Sequence, residues 1–158
     1  MNVIKTIRHL TTHGAALGLG FALGIYLLPI LIAPSDPDQA SIAAVTESAS
    51  YHAKFDRNRQ DSDAFHWGEG TVSVGQNQIA FEGELAPGPD YKLYLSPTFV
   101  ETEEAFKANK STMVRLADIK TFNGFVADVP DSVNVADFTT VVVWCETFSQ
   151  FISSGQYR

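Results

Sequence analysis

Residues 87–95, with the sequence PGPDYKLYL, indicate the fold class of this chain of 158 residues. The Pro-Gly-Pro-Asp segment predicts a sharp turn, because proline fixes φ while Gly and Asp tolerate turn conformations that most residues avoid. Directly after it, residues 91–95 alternate between aromatic or polar side chains and apolar ones, which is typical of a strand with one buried face. A turn followed at once by such a strand predicts β-structure.

Further short strands are predicted on both sides of this turn. They cover residues 70–74, 78–84, 113–119, 122–129 and 138–144. The first two are joined by the turn residues 75–77 and form a predicted hairpin, and only residues 101–110 have the pattern of a helix. The predicted fold is therefore mostly β: a small antiparallel β-sandwich or barrel-like domain over residues 65–158, behind one N-terminal transmembrane helix.

The transmembrane helix is predicted over residues 14–33, GAALGLGFALGIYLLPILIA, which contain no charge. As a helix these residues would be about 30 Å long, the thickness of a bilayer's hydrocarbon core. The alternative is a cleaved signal peptide, whose apolar core is usually only about 7–15 residues long. The nearest cleavage motif, Ser41-Ile42-Ala43, lies well past the apolar run. The pattern favours an uncleaved anchor.

Charge is distributed unevenly around this helix. The basic head, residues 1–13, contains Lys5 and Arg8, whereas all 18 acidic residues follow, beginning with Asp36. By the positive-inside rule the N-terminus is expected in the cytoplasm and the C-terminal domain in the periplasm, on the bacterial inner membrane. The acidic excess also makes nucleic acid a poor candidate partner. Residues 34–64, with two prolines and a charge-rich stretch, are predicted to be a linker.

Four glycines in the predicted span, Gly14, Gly18, Gly20 and Gly24, form two pairs with a spacing of four residues. Such spacing lets helix backbones approach closely, although Gly is also simply common in membrane helices. We expect these glycines to pack against transmembrane helices of a membrane complex, respiratory or otherwise engaged in electron transport.

Cysteine content limits the chemistry that is possible. One cysteine, Cys145, excludes an internal disulfide, a thiolate zinc site and a Cys-x-x-Cys pair. No hydrolase or nucleotide-binding motif is present, so the residues do not predict an enzyme in its own right, and they name no cofactor. His66 is the only histidine in the predicted domain and could pair with Cys145 on a metal, but two distant residues are a weak signal.

Cys145 follows the predicted strand 138–144, and alternation places it on one face with Val141 and Val143. The other face, with Val142 and Trp144, is also largely apolar, as in a central strand. A buried, inert side chain is the commonest state of a lone cysteine. Trp144 is expected to fill the core.

Two segments resemble the electron-transfer DM-thirteen domain family, within a resemblance that covers residues 65–157. They are GPDYKLYLS at residues 88–96 and VVVWCETF at residues 141–148. The resemblance implies a small β-rich domain, found alone behind anchors or beside DOMON and cytochrome domains, for which electron transfer through a single cysteine has been proposed. It therefore makes Cys145 the candidate redox residue.

Two functions remain open at this point. The first is a periplasmic redox module that passes electrons through Cys145. The second is a non-catalytic accessory subunit of a membrane complex, with an inert Cys145. An accessible cysteine with a low pKa would favour the first function, and a buried one the second.

Overall fold

Eight strands form two four-stranded antiparallel sheets in the computed structural model, which describes residues 3–158. The strands are β1 (Tyr51–Phe55), β2 (Gly68–Val74), β3 (Gln78–Leu85), β4 (Tyr91–Ser96), β5 (Val114–Ile119), β6 (Gly124–Asp128), β7 (Thr140–Cys145) and β8 (Gln150–Gln156). The strand order is β1-β2-β3-β6 in the first sheet and β5-β4-β7-β8 in the second. The prediction of a mostly β, antiparallel sandwich is confirmed.

The main core lies between the two sheets, where every second side chain of each strand points inward. Phe81 of β3 lies at its centre, with its ring centroid 5.0 Å from that of Phe55 and 5.2 Å from that of Phe125. From the second sheet, Leu93 and Val143 complete this layer, and both are fully buried. Burial of these apolar surfaces supplies most of the driving force that holds the two sheets together.

A short helix, α3 (Glu103–Asn109), covers the outer face of the second sheet. Its N-cap is Thr102, whose hydroxyl oxygen accepts a hydrogen bond from the backbone N–H of Ala105 at 3.1 Å. Phe106 of α3 stacks on Trp144, with 4.0 Å between ring centroids and 9° between ring planes. All six residues of β7 are therefore buried, because β7 has a packed layer on each side. Trp144 fills this outer core, as predicted.

The segment over residues 34–64 differs from the predicted linker. Helix α2 (Gln39–Ser48) buries Ile42 and Val45 against β3, and β1 pairs with β2 along its whole length. The sequence allows a short helix over residues 40–50 within the predicted linker, but a ten-residue helix has little stability alone and depends on this packing. Only residues 33–38 separate α2 from the N-terminal helix.

The N-terminal helix, α1 (Val3–Ile32), is long and apolar enough to cross a membrane, by its length and composition. It contains the predicted span except Ala33, and it also includes the basic head from Val3 onward. Met1 and Asn2 lie outside the described residues. At about 1.5 Å per residue, α1 is roughly 45 Å long.

The last turn of α1 is fixed to one end of the sandwich. Pro29 is buried, Ala33 packs on the edge of the main core, and the side-chain amide of Asn123 donates a hydrogen bond to Asp36 at 2.9 Å. At the same end of the strands lie the loops that precede β2 and β4 and the loop that follows β7. The chain therefore passes from α1 into the domain at the end that carries Cys145.

Candidate functional site

Cys145 is the last residue of β7, between β4 and β8. It pairs with Tyr91 on one side and with Gln150 on the other. Its side chain points into the main core together with Val141 and Val143, whereas Val142 and Trp144 point to the outer core. The predicted alternation of faces along this strand is confirmed.

The Cys145 thiol is a poor nucleophile in this position. Only 2% of the residue is exposed, and burial raises its pKa above the ordinary value. Backbone N–H groups of Phe148, Asp90 and Thr147 act in the opposite direction without reversing the shift. The protonated thiol is therefore the dominant form at neutral pH, and reaction with a polar reagent in water is disfavoured.

Cys145 also borders an apolar cavity of about 460 Å³. The cavity lies between α1 and the loops at this end of the sandwich, and its lining includes Tyr26, Phe65, His66, Tyr91, Cys145 and Phe148. The rings of Tyr26 and Phe65 meet edge to face, with 6.4 Å between their centroids. The buried sulfur thus lies close to a space that an apolar group could enter.

The Gly-Pro-Asp turn builds one wall of this cavity. The hydroxyl of Tyr91 donates a hydrogen bond to the carbonyl of Ala86 at 2.8 Å, which closes the turn with the tyrosine ring over Gly88. A Cβ atom at Gly88 would overlap that ring. Asp90 is held by Lys92 at 2.6 Å and by the hydroxyl of Thr147 at 2.9 Å, so the turn is tied to the residues after Cys145. The hydrogen bond from Lys92 lowers the pKa of Asp90 and keeps it charged.

His66 serves the structure of its own loop. Its Nδ1 atom lies 2.9 Å from Oδ2 of Asp63, and the backbone N–H groups of Phe65 and His66 donate to the other oxygen of that carboxylate. His66 and Cys145 border the same cavity. Within residues 3–158, however, no group of three or more His, Cys, Asp or Glu side chains has the arrangement of a metal site.

Glu146 follows Cys145 and lies on the opposite face of the sheet. It accepts a hydrogen bond from the hydroxyl of Tyr94 and an ion pair from Lys110 at 2.6 Å. Burial raises the pKa of this carboxyl, but the hydrogen bonds from Lys110 and Tyr94 outweigh it and leave the pKa below its usual range. This cluster stabilises the outer core and does not touch the Cys145 cavity.

The four glycines of α1 have open surroundings. An added Cβ at Gly14, Gly18, Gly20 or Gly24 would meet no atom within 4 Å. A side chain at these positions would therefore begin in open space, although Gly20 and Gly24 also line an apolar groove between α1 and the loops. Packing of the four glycines against other helices stays a prediction.

The sequence did not single out Tyr26, Phe65 and Phe148 as lining residues. They come from α1 and from two loops, and they meet only because the sandwich and the last turns of α1 are in contact. In the sequence, the only sign of these residues is a Phe in each of the two loops, Phe65 and Phe148, and the structure shows that both are exposed.

Comparison with known proteins identifies a family for this chain. A family model described as Electron transfer DM13 matches residues 55–157, from the last residue of β1 to the residue after β8. No curated protein and no solved structure matches the chain. The matched region includes strands β2 to β8 and Cys145, and it covers well over half of the sequence. The chain therefore belongs to the electron-transfer DM13 family.

Proposed function

We propose that this protein is a membrane-anchored redox module, held by α1 with its domain outside the cytoplasm, in which Cys145 is the residue that exchanges electrons. The family description supports a redox-related role. The observation that carries the proposal is the apolar cavity beside Cys145, since it offers a route to the only thiol of the chain.

The exchange that fits a lone thiol is a thiol–disulfide reaction with a partner protein. The sulfur of Cys145 attacks one sulfur of the partner's disulfide, and a new S–S bond forms between the two proteins. The partner's second sulfur leaves and takes up the proton that Cys145 has lost. One S–S bond breaks as another forms, so the electrons balance without a further oxidant.

The second candidate function is an accessory subunit with an inert cysteine. The burial of Cys145 and its raised pKa favour this alternative, because both slow attack by the sulfur. In that case α1 docks into a membrane complex and the β-domain covers the periplasmic side of that complex.

Thiol alkylation of the full chain in mild detergent distinguishes the two candidates. A small apolar maleimide should label Cys145 in the folded protein if the cavity admits reactants, as mass spectrometry would show. The variant Cys145→Ala/Phe148→Cys is the matched control, because it carries an accessible thiol in the adjacent turn. Labelling of Cys145 only after addition of denaturant would leave the accessory subunit as the better candidate.

Retention of α1 is supported by the position of the alternative cleavage motif. Ser41-Ile42-Ala43 lies inside α2, and cleavage after Ala43 would remove Ile42, which is 4% exposed and packs on β3. A reporter fused after Arg158 that is active only outside the cytoplasm, together with the mass of the mature chain, tests this topology. Activity of a cytoplasmic reporter would contradict the orientation, and a chain that begins near Ala44 would contradict the anchor.

A further inference from the structure

We propose that the end of the sandwich that carries Cys145 is inserted in the outer leaflet of the bilayer, at the boundary between headgroups and acyl chains, so that the Cys145 cavity opens toward lipid. The surface concerned, called here the anchor-proximal face, consists of residues 63–67, 86–90 and 146–149. This inference rests on the proposed anchoring by α1. It adds the orientation of the domain relative to the membrane, and it implies that reactants approach Cys145 from the lipid and not from water.

The connection between α1 and the domain is too short for the domain to stand away from the membrane. Residues 33–38 join α1 to α2, and even fully extended they would reach only about 20 Å. They are not free to extend, because Ala33 packs on the core and Asp36 is held by Asn123. The end of the domain at which α1 terminates therefore faces the bilayer.

The contacts of α1 define how deep this face lies. Tyr26, seven residues before Ala33, meets Phe65 with 6.4 Å between ring centroids. Gly24 and Phe148 line a second apolar groove between α1 and the loops. At 1.5 Å per residue, Tyr26 is about 10 Å below the outer end of a span that closes at Ala33. Loops that reach this level lie within the outer leaflet, where they contact the outer part of the acyl chains below the headgroups.

The composition of the anchor-proximal face suits that depth. Phe65 is 63% exposed and Phe148 is 45% exposed. Pro87 and Pro89 add apolar rings from the turn that precedes β4. Phe side chains that enter the boundary between headgroups and acyl chains remove their apolar surface from water, as Trp, Phe and Leu do on the apolar side of interfacial segments. The third exposed Phe of the domain, Phe99, follows the opposite end of β4 and is a natural reference position.

The carboxylates of the face are hydrogen-bonded. Residues 63–67, 86–90 and 146–149 contain three carboxylates and no Lys or Arg. Asp63 is bonded to His66, Asp90 to Lys92 and Glu146 to Lys110. Each carboxylate thus has a hydrogen-bonded partner when the face leaves bulk water, which reduces the cost of desolvation.

Nitroxide labels on the full chain in lipid vesicles test this orientation. The label is attached to Phe65→Cys, Phe148→Cys or, as the control, Phe99→Cys, each in the Cys145→Ala background. Accessibility to oxygen, which concentrates in lipid, is compared with accessibility to a water-soluble nickel chelate. Labels at positions 65 and 148 should be severalfold more accessible to oxygen than to nickel, and the label at position 99 should show the reverse. Each variant must retain the thermal unfolding midpoint of the Cys145→Ala parent.

Flotation of the same vesicles separates this inference from the anchoring. Protein that floats with lipid while all three labels contact nickel would overturn the orientation and leave the anchor standing. Labels at positions 65 and 148 that contact neither reagent would indicate protein cover instead of lipid and would also overturn it. Protein that fails to float would overturn the anchoring and the orientation together.

Discussion

Gly88 is present because the ring of Tyr91 occupies the space of a side chain. The tyrosine closes the Gly-Pro-Asp turn through its hydrogen bond to Ala86, and a Cβ atom at Gly88 would overlap the ring. The family motif thus has a steric reason in this chain.

Substitution Gly88→Ala should destabilise the domain by about 1–3 kcal/mol, because a methyl group forced into a packed site displaces its neighbours. A lower urea midpoint with unchanged m-value would be the result. In a Tyr91→Leu background the same substitution should cost clearly less, since the ring is gone. Equal costs in both backgrounds would contradict this account of the turn.

Burial of the Cys145 thiol links stability to alkaline pH. The pKa of Cys145 is raised in the folded state, so between the unfolded value of about 8.5 and the folded value the unfolded chain binds fewer protons. The free energy of unfolding should therefore fall as pH rises above about 8.5. Urea unfolding should be measured from about pH 7.5 to about pH 9.5, within about one unit of the pKa of the unfolded thiol. The free energy of unfolding should fall over this range in the wild type and should not show this fall in Cys145→Ala. Parallel curves for the two proteins would show that the thiol titrates normally.

At the scale of elements, α2 and β1 belong to the folded domain. Ile42 and Val45 cover Ala80 of β3, and β1 supplies the edge strand beside β2. Without them the first sheet would expose apolar side chains and a row of unpaired backbone groups.

A chain that begins at residue 65 should accordingly fail to fold, whereas one that begins at residue 35 should fold. Gel filtration and circular dichroism of the two truncated proteins provide the measurement. A point variant refines the test: Ile42→Ala should cost about 2–5 kcal/mol, while Glu47→Ala on the exposed side of α2 should change stability little. A folded, monodisperse protein from residue 65 onward would contradict this domain boundary.

At the scale of the whole molecule, α1 is the part of the chain that we expect to contact other membrane proteins. We propose that the glycines of α1 pack against transmembrane helices of an electron-transport complex. Replacement of Gly14, Gly18, Gly20 and Gly24 by Leu should release the protein from that complex. The domain should stay folded, because no atom lies within 4 Å of an added Cβ at these positions.

Co-purification in mild detergent measures the release. A variant with Leu23→Ala and Leu27→Ala, which also changes the helix surface but keeps the four glycines, is the control. If the quadruple variant co-purifies with the same helices as the wild type, the glycines have no part in docking. If the wild type itself runs as a free monomer, α1 only holds the domain at the membrane and does not bind other helices.

Local patterns in the sequence were sufficient to predict the class of fold and the position of Cys145 at the end of a strand. Alternation in residues 91–95 and 139–145 reflects the two-residue period of a strand, which is set by backbone geometry alone. The turn chemistry of residues 87–90 and the apolar run 14–33 are local for the same reason. These features therefore predicted the sandwich, the helix and the buried faces of β7.

Features that depend on contacts between distant parts of the chain became visible only in the tertiary structure. The strand β1 and the helix α2 are marginal in sequence and are stabilised by β2 and β3, which come later in the chain. The raised pKa of Cys145 and the cavity that it borders arise from α1, β4 and two loops, and no window of sequence includes all of them. The sequence by itself determined that Cys145 is the only thiol, and only packing decided that its sulfur is buried and borders a cavity beside α1.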